Sequence, residues 1–333
     1  MSDSQQFRSP EVNETSQQEL VGTYAQRYLL HSLLFFTTFL TTTIAGVFWL
    51  NKDGFDLQNF HLGLSYSISI LFILASHEFG HYFAAKYHKV KATLPFFIPF
   101  PPIPGFLNFG TLGAVIRTRS PVPTKKVMFD IGIAGPIAGF IATLIVLSYG
   151  FLTLPGIDYL YTIHPEYREL AQLPEGDLSF GTTFLYWVMS QALVDPSVSF
   201  LPPMNEMYHY PFLCVGWFGL FVTAMNLIPI GQLDGGHIAY AMFGSQHRMI
   251  ARTSFATLLV IGLAGFLPVA GIDSPIGWTG WLFWAMILFF VIRLDHPPID
   301  DPTELDPNRR LLGWTSFVML VLCFSSSPFN IKL

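Results

Sequence analysis

"ILASHEFGHYFAAKY" (residues 73–87) sets His77, Glu78 and His81 at the end of an otherwise apolar run. Ionisable side chains are costly inside a bilayer, rare there, and functional by default. His77 and His81 stand four apart, so on a helix they share one face and offer two imidazole nitrogens to one metal ion. Glu78 points about 100° further round that helix, beside the ion and not on it. This is the HExxH arrangement, two ligands and a general base.

The surrounding chain reads as a membrane protein. Of 333 residues, 51% are hydrophobic and 12% charged, and the mean hydropathy is +0.46; a soluble domain carries about 25% charged residues. The 33 phenylalanines suit surfaces facing acyl chains, and the net charge of −5 includes no basic block of the kind that binds nucleic acid. Cys214 and Cys323 lie in separate apolar runs and read as small hydrophobes, not as a disulfide framework.

Since about 20 apolar residues cross the hydrocarbon core, spans are expected at about 29–50, 63–87, 131–153, 211–234, 252–272, 276–294 and 311–327. The fold class is therefore an all-α polytopic membrane protein with about seven transmembrane helices. Residues 94–116, "LPFFIPFPPIPGFLNFGTLGAVI", are apolar but rich in proline and glycine, which argues against a spanning helix. A re-entrant loop followed by a short extended segment is expected there, between the second and third spans. The stretch 182–194 is too short to span and reads as interfacial. Residues 1–28 are polar and read as a disordered tail; 29–327 form one transmembrane domain with its core at about 63–240; 328–333 are a carboxyl-terminal tail.

Lys86, Lys89, Lys91, Arg117, Arg119, Lys125 and Lys126 place the connection between the second and third spans in the cytoplasm. The acidic segment at about 154–210 then lies outside. The amino terminus is cytoplasmic, and the HExxH segment sits near the cytoplasmic face. With no organelle or secretion signal read at the amino terminus, a prokaryotic inner (plasma) membrane is expected.

A catalytic zinc site usually needs a third protein ligand. "MNLIPIGQLDGGHI" (225–238) offers Asp234 near the cytoplasmic end of the fourth span, at the depth of the histidines, with His237 as its rival. Gly132, Gly135 and Gly139 favour close packing of the third span.

"HEFGH" (77–81) together with "NLIPIGQLDGG" (226–236) resembles the site-2 proteases, intramembrane zinc metallopeptidases. "FGTLGAVI" (109–116) and "FDIGIAGPIAGF" (129–140) extend the resemblance, and the short outside loop looks like the branch without a PDZ domain. The resemblance implies one zinc ion per chain held by His77, His81 and Asp234, and Glu78 as the base that activates a zinc-bound water. It gives Asn226 and Pro229 a supporting role at the site. Gly110, Thr111, Leu112 and Gly113 become an edge on which substrate pairs as a strand. The implied substrate is a membrane-anchored protein, already trimmed by another protease. The competing reading is a non-proteolytic membrane zinc-binding protein or transporter. The oligomeric state is not legible.

Overall fold

Helices dominate this chain because a segment leaving water must satisfy its own backbone hydrogen bonds. The computed structural model describes residues 14–101, 103, 108–272 and 276–331, with side chains from 28 to 330 among them. In chain order the helices are α1 (Glu14–Phe48), α2 (Leu64–Tyr87), α3 (Lys125–Leu152), α4 (Ile157–Ile163), α5 (Phe184–Leu193), α6 (Pro211–Leu227), α7 (Asp234–Phe243), α8 (His247–Ala264), α9 (Gly280–Ile287) and α10 (Pro307–Cys323). The first thirteen residues of the expected tail lie outside the described residues, and from Glu14 the backbone is already helical.

Among the described residues, three stretches are long and apolar enough to cross a membrane: Tyr28–Phe48, Leu57–Tyr87 and Lys125–Leu152. The other expected spans fall on α6, α8, α9 and α10, which are shorter or more polar. The expected interfacial segment is α5.

The chain is mostly helical, and the short extended segment expected before the third span is a strand. Within 94–116 the described residues form an antiparallel pair, β1 (Phe96–Pro99) with β2 (Thr111–Val115), in the register Phe96↔Val115 and Pro99↔Thr111. Prolines that forbid a helix are tolerated in so short a strand at a sheet edge. A second pair, β3 (Leu178–Phe180) with β4 (Phe329–Ile331), joins the acidic loop between α3 and α6 to residues after α10. Apolar packing accounts for it. Phe329 is 4% exposed, and its ring lies 5.3 Å from those of Phe180 and Trp217 and 5.6 Å from that of Phe221. Residues 329–331 of the expected carboxyl tail are thus a strand anchored by Phe329, while 332–333 lie outside the described residues.

Successive long helices run antiparallel and interlock at small or polar residues. Thr42 Oγ1 meets Ser67 Oγ at 2.6 Å between α1 and α2. Thr41 Oγ1 donates to the Gly110 carbonyl at 2.6 Å, tying the start of β2 to α1. Between α2 and α3, a Cβ on Gly80 would lie 2.5 Å from the Ala134 carbonyl oxygen, so the two backbones are in direct contact. Trp217 of α6 is fully buried and donates its indole N–H to the Gly181 carbonyl at 2.7 Å. At the other end, Arg309 of α10 clasps Asp130 of α3 at 2.6 and 2.7 Å, and His88 meets the same carboxylate at 2.9 Å. With Gly216 of α6 packed on Leu147 of α3, these contacts hold α2, α3 and α6 together.

His247 opens α8, ahead of the expected fifth span, and is 2% exposed with no hydrogen-bond partner for Nε2. Burial, reinforced by nearby His296, pushes its pKa down to about 4, and burial lowers His296 as well. The unfolded chain binds protons near pH 6.5, so between pH 6.5 and 4 it carries more protons than the folded chain. Stability therefore declines as pH falls through that window. Thermal unfolding in detergent at stepped pH should show this slope, and His247→Leu should flatten it; an identical slope in the variant would remove His247 as its source.

Candidate metal centre

His77 and His81 project from the middle of α2 toward α3 and α7, 9% and 7% exposed. Their Nε2 atoms lie 3.0 Å apart. Asp234 brings Oδ2 to 3.3 Å from His77 Nε2 and Oδ1 to 3.3 Å from His81 Nε2. Ligands bonded at 2.0–2.2 Å in a tetrahedral centre stand about 3.3 Å from one another. The triangle therefore has the dimensions of a zinc site. The donor chemistry fits as well: His81 Nδ1 lies 2.7 Å from the Ile131 carbonyl, which can only accept. Nδ1 thus carries the hydrogen and Nε2 turns its lone pair to the centre, the usual outer contact of a metal-ligating histidine.

The position of Asp234 corrects the expected fourth span of 211–234. That helix ends at Leu227, and Asp234 opens a new one. Ile228 precedes Pro229 and is driven out of the helical region, with φ −57° and ψ 125°. Gly231 then turns the chain at φ 56°, a left-handed conformation natural to glycine. As the first residue of α7, Asp234 places its carboxylate at the positive end of a helix dipole.

A cavity of about 390 Å³ opens on this triangle. Glu78, 7% exposed, lines it together with Asn226 and the β2 residues Ala114 and Val115. The backbone amide of Ile116, just past β2, faces the Glu78 carboxylate. Asn226 Nδ2 comes within 3.5 Å of His77 Nε2. Pro229 is buried in the turn between α6 and α7 and shapes that turn.

His237, the rival ligand, also lines this cavity, but its Nδ1 meets His296 Nε2 at 2.8 Å and it is not part of the three-donor group. Among Gly110, Thr111, Leu112 and Gly113, Leu112 is 66% exposed, and Gly113, at φ 99°, has open space where a side chain would stand. Gly110 packs against Thr41 and Thr42, and Thr111 bonds the Ile98 carbonyl at 2.9 Å across the hairpin. One feature of the site has no sequence signal. The Ile131 carbonyl acts through its backbone, which any residue would supply. The α3 glycines pack on the imidazoles themselves, Gly135 on His81 and Gly139 on His77.

Comparison with known proteins agrees with this geometry. The model of peptidase family M50 matches residues 65–269. Among curated proteins, the chain is similar to "Probable zinc metalloprotease EGY1, chloroplastic" of Oryza sativa subsp. japonica, 32% identical over 266 residues, covering 78% of this chain and 40% of the relative. The protein of the same name in Arabidopsis thaliana is 28% identical over 260 residues, 78% of this chain and 42% of the relative. "Probable zinc metallopeptidase EGY3, chloroplastic" of Arabidopsis thaliana is 27% identical over 296 residues, 86% and 46% respectively. The chain thus spans less than half the length of these relatives. These relatives are designated chloroplastic, which overturns the expectation of a prokaryotic plasma membrane.

Proposed function

Because this chain belongs to peptidase family M50, we propose that it is an intramembrane zinc endopeptidase, acting in a plastid membrane on membrane-anchored proteins. The observation that carries this reading is the convergence of His77, His81 and Asp234 within 3.3 Å, with Glu78 in the same cavity. In this reading those three residues hold one zinc ion, and the relatives named as zinc metalloproteases support that identity. The ion supplies Lewis acidity, making a water more acidic and drawing charge from the peptide carbonyl.

The chain's own residues do the rest. Glu78 takes a proton from the attacking water and delivers it to the departing amine nitrogen. Its burial keeps bulk water from competing for that proton. Asn226, with its amide nitrogen 3.5 Å from the donor atom of His77, offers an N–H toward developing negative charge at the centre. A helical substrate shields its peptide bonds, so it unwinds before cleavage. The outer edge of β2, which among the described residues pairs only with β1, receives the unwound strand along Thr111–Gly113.

The architecture belonging to this reading has seven spans, with α6, α8, α9 and α10 completing the three long ones. The segment containing β1 and β2 is re-entrant, and residues 29–327 act as one domain. The basic connection between α2 and α3 lies on the face nearer the metal centre.

Chelation tests the metal requirement. Purified protein in liposomes with a single-span substrate should lose cleavage with 1,10-phenanthroline and regain it with stoichiometric Zn2+. Undiminished cleavage by protein shown to be zinc-free would rule the mechanism out.

A further inference from the structure

A second cluster, in the loop at the opposite end of the bundle, has the same build as the first. His164 closes α4, and Glu206 and His209 flank the short turn that leads into α6. The Nε2 atoms of His164 and His209 stand 3.0 Å apart, the spacing of the His77–His81 pair. Glu206 Oε2 lies 3.4 Å from His209 Nε2 and 4.0 Å from His164 Nε2.

The outer nitrogens are already committed. His209 Nδ1 faces the Trp49 carbonyl at 2.5 Å, and His164 Nδ1 faces Glu166 Oε1 at 3.1 Å. Both partners only accept, so each Nδ1 carries the hydrogen and each neutral ring turns a bare lone pair inward. Two lone pairs at that separation repel unless a cation lies between them. Glu206 adds an independent sign. It is 1% exposed, and its Oε1 accepts from the Tyr167 hydroxyl and the Asn205 amide, each at 3.2 Å. Among the described residues Oε2 has no hydrogen-bond partner, and it is aimed at the histidine pair. A buried oxygen left bare in this way is costly and is relieved by coordination.

We propose that His164, Glu206 and His209 form a second divalent-cation site, separate from the His77–His81–Asp234 centre. From Gly139, packed on His77, to the far end of α3 the helix rises about 20 Å, so one ion cannot serve both. Two imidazoles and a carboxylate select a borderline cation, zinc ahead of calcium or magnesium. Each ligand has its outer support: the Trp49 carbonyl for His209, Glu166 for His164, and Tyr167 with Asn205 for Glu206. His164 also stacks on Tyr167, ring centroids 4.5 Å apart and 9° from parallel. The ion clips the outside loop to the end of α1 and the start of α6, holding the segment that bears β3 against the bundle. Its role is structural, because no unpaired base stands beside it.

Zinc counting on the full chain in detergent separates the two sites. The His77→Ala/His81→Ala protein, stripped and dialysed against Zn2+, should retain one ion per chain. Adding His164→Gln should reduce that to none. In the same background Zn2+ should raise the unfolding temperature, and Co2+ should give the visible absorption of a tetrahedral N,O site. A His77→Ala/His81→Ala protein that folds but binds no Zn2+, or whose ion survives His164→Gln, overturns the proposal. Should His164→Gln prevent folding, the metal-dependent unfolding shift of the His77→Ala/His81→Ala protein decides alone, and no shift overturns it.

Discussion

Replacing Glu78 by Gln should lower peptide-bond cleavage about 10³-fold, the middle of the range for loss of a positioned acid–base group, while the zinc content stays unchanged. Gln matches Glu in shape, so the 390 Å³ cavity and the packing beside β2 persist. What disappears is the ability to accept a proton from the attacking water and return it to the leaving nitrogen. His77, His81 and Asp234 meet within 3.3 Å without any help from Glu78, so the metal donors stay in place. Cleavage of a single-span reporter and zinc per chain, measured on the same preparation, read both halves of this result. Equal rates in wild type and variant would sink the peptidase reading. A zinc carrier behaves differently: it has no use for the carboxylate as a base, and its zinc flux would survive the substitution.

The two halves of the centre were legible in the sequence to different degrees. HExxH is local, and helical spacing alone puts His77 and His81 on one face. Asp234 is more than 150 positions away, and its candidacy rested on a depth argument that needed only the approximate ends of two helices. The helix end itself was misread, because "NLIPIGQLDGG" continues an apolar run and hydropathy does not register that Pro229 and Gly231 break it. Backbone contacts such as the Ile131 carbonyl on His81 leave no trace in side-chain pattern. The pairing of β3 with β4 joins short segments about 150 residues apart, each too short for a period-two signal. His164, Glu206 and His209 have no motif spacing, since they meet only after the loop folds back on α1 and α6.

Gly135→Ala should abolish zinc binding at the first centre and cut cleavage at least 100-fold, beyond the about 10–100-fold typical of losing an outer-shell contact. A Cβ at this position would sit 2.1 Å from His81 Nε2 and 2.4 Å from both Cδ2 and Cε1. No real methyl–imidazole contact is that short, so one side must move. The α2 and α3 backbones cannot separate cheaply, because Gly80 packs closely on Ala134 and His88, at the end of α2, is paired with Asp130 of α3 at 2.9 Å. The ring must therefore swing, which breaks its 2.7 Å bond to Ile131 and takes Nε2 away from His77 and Asp234. Gly139→Ala is the matched control one turn along the same helix. Its Cβ would stand 3.1 Å from His77 Cβ and Nδ1, a contact relieved by a few tenths of an ångström. Overpacking a helix interface costs about 1–3 kcal/mol in general, so both variants should unfold at lower temperature, but only Gly135→Ala should lose the metal. If Gly135→Ala keeps its zinc and its rate, His81 cannot be the ligand that this packing makes it, and the coordination set would have to be redrawn around His77, Asp234 and another donor.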